Sequence, residues 1–385
     1  MTEKLYDIDS KLAEFEANVL SCEEYGEYYT VILDKTAFFP EAGGQGSDRG
    51  TLDNANVLDV QIRDEKIIHF VDKPLTVGSR VSGNIDWNRR FDFMQQHSGE
   101  HIVSGVANKL YGCENVGFHL SEDIVTLDFD KPLKADEIKK IESLANEAVF
   151  KNYAVFTYYP DEEALQTLQY RSKKELEGAI RIVEIENTDM CACCAPHVSH
   201  TGEIGLIKLL SVESLRGGVR IEMKCGMRAL LDYSVKQENI QKISAMLCVK
   251  QKESASAVEK TLDGIGKLKY NITDLKHQLI LLKVASFKAD SDITASFEEN
   301  LEMKELQHFA DALYKAYSGI RGVFSPCDNG ISFAICGDSD KLDEFFSTVK
   351  SNFTVKGGGR NTMVQGTIFA EKNAVSGFFE NYEKN

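Results

Sequence analysis

His97 and His101 stand one helical turn apart in the stretch FMQQHSGEHIVSGV, residues 93 to 106. On a helix, positions i and i+4 share a face, so both imidazoles can aim at one point in space. Two nitrogens at one point are half of a metal site, although eight histidines in the chain make chance a competitor. Further ligands should come from a distant element, because a zinc site usually closes on two separate pieces of chain. DMCACCAPHVSHTGEIG (189–205) offers them, with Cys193 and His197 in a C-x-x-x-H arrangement on a loop stiffened by Pro196. Cys191 and Cys194 are rival thiolates there, His200 is a rival imidazole, and three buried small residues are the bland alternative. Two imidazoles from a helix with a thiolate and an imidazole from a loop would satisfy tetrahedral zinc, and such mixed donors suit zinc better than magnesium or calcium.

Other elements must hold these residues. Residues 1–88 mix β-branched and aromatic runs such as YYTVILDKTAFF with Gly, Asn and Asp breaks, the signature of a small β-barrel. From Arg89 to Leu110 the pattern turns helical, with Phe91, Ile102, Val106 and Leu110 on one stripe. A second helical run, KADEIKKIESLANEAVFKN, and several strand-like segments make 89–228 an α+β domain with helices on a mainly antiparallel sheet. In 229–290, Val258, Leu262, Ile265, Leu268, Ile272, Leu275, Leu279 and Leu282 recur by threes and fours, after an earlier seam at Ile240, Ile243 and Leu247. That spacing predicts a long helical hairpin, serving as a spacer or as a dimerising arm. Residues 291–385 read as a C-terminal α/β unit, so the expected fold class is α+β and multidomain.

At 385 residues, with 43% hydrophobic and 27% charged, the chain has the composition of an ordinary globular protein of two or three domains. No apolar run approaches the roughly 20 residues of a membrane span. The acidic start MTEKLYDIDSKLAEFE holds no signal-peptide core, so a cytoplasmic protein is expected. Nine cysteines, three of them crowded at 191–194, suggest metal or redox chemistry before disulfides. A net charge of −16 argues against general binding to nucleic acid, so any RNA contact needs local positive residues.

Five ordered motifs resemble a known family. DKTAFFPEAGGQGSDRG (34–50), HSGEH (97–101), CCAPHVSHTGEIG (193–205) and GGVRIEMKCG (217–226) resemble the editing portion of alanyl-tRNA synthetase and its free-standing relatives, the AlaX alanyl-tRNA editing proteins. KGGGRNTMVQG (356–366) resembles the glycine-rich core of the DHH-associated domain that ends the long-form proteins. The resemblance implies trans-editing: hydrolysis of the ester joining a wrong amino acid, chiefly serine or glycine, to alanine tRNA charged elsewhere. A pocket cannot strongly reject a close mimic of its substrate, so a second, hydrolytic site restores accuracy. The zinc ligands it implies, one ion per chain, are His97, His101, Cys193 and His197, the distance from His197 to TGEIG selecting Cys193. This chain departs from relatives in reading Cys-Cys-Ala-Pro-His where Cys-Gly-Gly-Thr-His is common, and Ala42 where glycine is frequent.

The resemblance also gives roles to other residues. Gly43 and Gly44 would form a tight turn whose N–H groups approach the ester or ribose, and Gln45 would orient water or the terminal adenosine. Thr36, His119 and Arg220 are expected to line the substrate site, with a plain structural role as the alternative for Thr36 and His119. Glu100 is expected to face solvent. For tRNA, Gly357, Gly358, Gly359 and Arg360 would make a turn that offers N–H groups and a guanidinium to a phosphate, with Gln365 nearby. Arg89, Arg90 and Arg216 are further cations, or else surface ion-pair partners. The competing readings are an inactive zinc-containing tRNA-binding module, a hydrolase of free amino-acid esters, and a DHH phosphoesterase, whose Asp-His-His run is missing.

Overall fold

In the computed structural model of the chain, a short strand β1 (Glu3–Lys4) and a helical turn α1 (Leu5–Ile8) lead into β2 (Glu14–Tyr25), where Phe15, Ala17 and Val19 are buried. That period of two puts one strand face on a core. The structure describes residues 2–172, 179–289 and 291–382. After β3 (Tyr28–Leu33) and the short β4 (Lys35–Thr36), which pairs with β1, come β5 (Gly50–Leu52), β6 (Ala55–Arg63), β7 (Lys66–Val71) and β8 (Arg80–Ile85). Strands β2, β3, β7, β6, β5 and β8 close in that order into a barrel, each neighbour antiparallel. Gly83 makes room inside it, since a Cβ there would lie 2.4 Å from the Phe15 ring.

Thr36 lies in this interior. It is wholly buried, and its hydroxyl lies 2.9 Å from His69 Nε2 while accepting from the Phe38 N–H. His69 Nδ1 lies 3.1 Å from the Val31 carbonyl, which can only accept, so the ring is satisfied as the neutral Nδ1–H form. Burial lowers its pKa from 6.5 to about 4. The unfolded chain therefore takes up a proton at a pH where the folded barrel does not. This contribution is complete above pH 6.5 and is lost as pH falls towards 4, by about 3 kcal/mol at most. Stability measured by urea denaturation at the single tryptophan, Trp87, should fall more steeply from pH 6.5 to 4 than in His69→Gln.

Helix α2 (Trp87–Tyr111) starts where the Asp86 carboxylate accepts the Arg89 N–H at 3.2 Å and stops at Gly112, whose φ of +62° suits glycine. Every residue from Gln96 to Ala107 is buried, which marks α2 as the central helix of its unit. Around it run β9 (Asn115–Leu120), β10 (Val125–Phe129), α3 (Ala135–Lys151), β11 (Val155–Tyr158), α4 (Glu162–Thr167), β12 (Ile182–Ile185), β13 (Asp189–Ala192), β14 (Ile207–Leu215), β15 (Gly218–Cys225) and α5 (Gly226–Leu247). They form an antiparallel sheet ordered β14-β15-β10-β9 and a smaller one ordered β11-β12-β13. α3 turns Ile138, Ile141, Ala145, Ala148 and Val149 onto the shared core.

The chain divides at residue 242 into two units, Met1–Lys242 and Ile243–Asn385. The second holds α6 (Ser254–Ser286), β16 (Ile293–Phe297), α7 (Met303–Ala316), β17 (Ile320–Cys327), β18 (Gly330–Cys336), α8 (Ser339–Asn352), β19 (Val355–Arg360), β20 (Met363–Ile368) and α9 (Lys372–Tyr382). Its five-stranded sheet runs β16-β17-β18-β20-β19 around a core rich in phenylalanine. On α6 the apolar seam is bare, with Leu262, Leu268, Leu275 and Leu282 between 62% and 69% exposed. The expected Gly-Gly-Gly-Arg turn is instead a strand. Gly357, Gly358, Gly359 and Arg360 pair with Gly366, Gln365, Val364 and Met363 at the edge of the sheet. Cβ atoms at 357 and 359 would meet carbonyls of β20 at 2.3 and 2.0 Å, so glycine here permits close strand approach.

Candidate metal centre

Helix α2 and the loop after β13 bring four donors together. One ligand atom each from His97, His101, Cys193 and His197 lies within 4.8 Å of all the others, a group that could hold a metal ion. Cys193 Sγ is 3.6 Å from His97 Nε2 and 3.4 Å from His197 Nε2. The three rings stand 4.7 to 5.4 Å apart, centroid to centroid. The loop is held at both ends: Ala195 is packed into the barrel core and Val198 into the core around α2. Buried Arg181 ties down its backbone by donating to the Cys193 and Ala195 carbonyls at 3.1 and 2.9 Å. The centre thus sits where barrel and α+β layer meet within the first unit.

Each imidazole has a separate partner behind it. His97 Nδ1 lies 2.7 Å from Gln45 Oε1, His101 Nδ1 3.1 Å from Asp189 Oδ2, and His197 Nδ1 3.0 Å from Ser98 Oγ. Such outer contacts turn the Nε2 lone pairs towards a common point. Burial opposes a charge on Cys193, but His97, His197 and hydrogen bonds from His101 and His197 outweigh it and hold the thiol well below its ordinary pKa of 9.0. Burial drives His197 down to about 3, whereas at His101 the bonds to Asp189 and Cys193 overcome burial and raise it to about 9. The thiolate and the neutral His197 are already in the form that ligates a metal, whereas His101 gives up a proton when it binds one.

The rival ligands fall outside this group. Cys194 is exposed, and His200 is half exposed beside Glu203. Cys191 is buried, its thiol pushed up to about 12 by burial, and it joins His101 and Asp189 in a second trio. Gln45 is buried at the centre, and its Nε2 has no hydrogen-bond partner among the described residues. Gly43 and Gly44 form the tip of a two-residue turn closed by Ala42 and Gln45, at φ of +61° and +84°. A Cβ on Gly44 would lie 2.6 Å from the Phe118 carbonyl, and the Phe118 ring rests 4.7 Å from His97.

Several expected roles change with the side-chain placements. Glu100 does not face solvent: it is wholly buried, and Oε1 accepts from Ser104 Oγ and Asn115 Nδ2 at 2.6 Å each. Arg90 is no RNA contact, because it is wholly buried on Asp48 and the Ser10 and Ala37 carbonyls. Arg89 bonds Glu122 at 2.9 Å and covers the Phe93 ring. His119 is exposed on β9, where alternation turns it away from the face that carries Phe118 and Leu120. Arg220 pairs with Asp128 at 2.7 Å, and Arg216 is exposed in the turn between β14 and β15. The sequence does not single out Asp189, Arg171, Arg181 or Ser98. Asp189 and Ser98 lie inside or beside the quoted motifs, whereas nothing in the sequence marks the two arginines.

Family models and relatives agree on one neighbourhood. A model described as "Threonyl and Alanyl tRNA synthetase second additional domain" matches residues 180–222, and one for "tRNA synthetases class II (A)" matches 6–89. The alanyl-tRNA editing protein Aarsd1 of Danio rerio is 30% identical over 302 residues, 74% of this chain and 73% of the relative. Aarsd1-B of Xenopus laevis is 31% identical over 269 residues, 69% of this chain and 65% of that protein. The alanine–tRNA ligase of Pyrococcus abyssi is 31% identical across 95% of this chain, which spans 42% of the ligase. Among solved structures, the C-Ala domain from Aquifex aeolicus alanyl-tRNA synthetase overlaps 23% of this chain and 91% of its own at 28% identity, with a TM-score of 0.21, too loose to bear on the fold.

Proposed function

This chain belongs to the family of alanyl-tRNA editing proteins, and from that premise we propose that it is a trans-editing hydrolase that releases serine or glycine from wrongly charged alanine tRNA. The observation that carries the reading is the meeting of His97, His101, Cys193 and His197 in one group, with Gln45 bonded to its edge. Zinc, one per chain, is the ion proposed. With bonds of about 2.1 Å to nitrogen and 2.3 Å to sulfur, tetrahedral ligands stand roughly 3.6 Å apart. Cys193 Sγ lies 3.4 and 3.6 Å from its nitrogen neighbours. When bound, zinc supplies Lewis-acid polarisation and a template for the charged end of the tRNA.

The protein's own groups do the positioning. Gln45 Oε1 fixes the His97 ring, which leaves the buried amide Nε2 of Gln45 to donate to the ester carbonyl or the terminal ribose. An unmet buried donor is costly, so a substrate oxygen there gains more than it would at a solvated site. The Gly43 and Gly44 N–H groups, exposed at the turn and without partners among the described residues, can approach the same end. For the tRNA body, Arg360 is exposed beside the Asn361 turn and suits a phosphate, with bare backbone at Gly357 to Gly359 along the sheet edge. Gln365 is engaged by Gln307 and is the weaker candidate. No helix among the described residues is long and apolar enough to cross a membrane, and work on tRNA fits the cytoplasm.

The changed loop favours one second reading. Pro196 has no N–H, and the Ala195 side chain is turned into the barrel core, so this stretch brings no threonine hydroxyl to the centre. A tRNA-binding module without hydrolysis would result. Zinc analysis, tRNA retention on a filter and serine release from seryl-tRNA test both readings together. Zinc with release supports editing, and zinc with tRNA retained but no release selects the binding module.

A further inference from the structure

We propose that Asp189, held by Arg171, is the positioning residue that fixes the His101 tautomer and through it the affinity of the metal centre. The inference rests on the metal-centre reading and not on hydrolysis. Of the three outer partners, only this one is a carboxylate; Gln45 and Ser98 are neutral. Arg171 grips it side-on, Nε to Oδ1 and Nη2 to Oδ2 at 2.8 Å each, and Oδ2 also faces His101 Nδ1 at 3.1 Å. The Asp189 side chain is 2% exposed and that of Arg171 is 12% exposed, so solvent does little screening here. The approach is built into the backbone. At Gly105, one turn beyond His101, a Cβ would lie 2.7 Å from the Asp189 Cβ.

The logic is one of donors and acceptors. An ionised carboxylate only accepts, and a guanidinium only donates. His101 must then keep a proton on Nδ1, so the proton it releases to an ion comes from Nε2, the nitrogen that ligates. Asparagine at 189 has one oxygen and one NH2 group for three donors, so some N–H must face another N–H. If the NH2 group takes the His101 side, it donates to Nδ1 and the proton moves to Nε2, the tautomer that cannot ligate. A second ion held by His101, Asp189 and Cys191 is the competing use of this trio, and the guanidinium on both Asp189 oxygens opposes it.

The test titrates the zinc-free full-length chain with zinc against a chromophoric chelator, with Trp87 fluorescence reporting the fold. Asp189→Asn should bind zinc about 10- to 100-fold more weakly than wild type. Arg171→Gln keeps the carboxylate on His101 and should lose no more than about threefold in zinc affinity while lowering the melting temperature, as loss of a partly buried ion pair does. Equal affinity in wild type and Asp189→Asn would overturn the proposal, as would equal losses in both variants, which would mark the pair as merely structural. If Asp189→Asn does not fold, nitrogen spectra of histidine-labelled, zinc-loaded wild type decide: a proton on His101 Nδ1 supports the inference and one on Nε2 overturns it. Wild type that binds no zinc would instead sink the metal-centre reading itself, and this inference with it.

Discussion

Replacing Cys193 with alanine should weaken zinc binding by more than the 10–100-fold typical of losing an outer partner, because it removes a ligand outright. Cys193 is the one sulfur in the four-donor group, with two imidazole nitrogens within 3.6 Å. Without its negative charge the three histidines face one another across a buried space. Serine release should fall in step, by at least about 100-fold, since the ion's electrostatic help goes with the ion. Cys194→Ala is the control. That residue is adjacent in sequence but exposed, and zinc content should stay within about twofold of wild type. Equal losses in both variants would mean that the loop and not the thiolate was damaged.

The largest stability effect should come from Asp48. Its carboxylate meets Arg90 inside the first unit, with both side chains fully buried, and its Oδ2 also accepts the Phe39 N–H at 2.6 Å. Arg90 reaches on to the Ser10 and Ala37 carbonyls at 2.9 and 2.6 Å, so one guanidinium ties the start of α2 to three parts of the barrel unit. Asp48→Ala leaves that charge buried without its counter-ion, and breaking such a pair costs about 3–5 kcal/mol. Urea denaturation followed at Trp87 should register the loss. Asp48 is three residues beyond Gln45, so the variant should also loosen the segment that holds the His97 partner. A loss under about 1 kcal/mol would mean that water reaches Arg90 in place of the carboxylate.

The sequence reveals elements better than it reveals partners. The helical run from Arg89 to Leu110 follows from its apolar stripe, and strands in the first unit from β-branched and aromatic runs between Gly, Asn and Asp breaks, because both signals are local; α2 itself runs from Trp87 to Tyr111. The i, i+4 spacing of His97 and His101 needs only helical geometry, and the C-x-x-x-H loop only a count along the chain. Burial is another matter. Glu100 reads as solvent-facing from its motif, yet α2 is covered on every side from Gln96 to Ala107, and no local pattern announces that. Arg90 looked like a cation for RNA, but Asp48, 42 residues away, claims it. The contact of Thr36 with His69, 33 residues away, is likewise invisible in the sequence. Glycine misled for a related reason: a run of three suggests a loose turn, and here it lets an edge strand lie close on β20. Arg171 and Arg181, which hold Asp189 and the Cys193 loop, carry no spacing that would single them out.

The most direct test of the central claim compares seryl-tRNA and alanyl-tRNA, both on the alanine tRNA, as substrates for the purified protein before and after chelation. Release of serine with alanine spared, lost on chelation and restored by added zinc, is the predicted result. Serine release that survives removal of the ion, or equal release of serine and alanine, would contradict it.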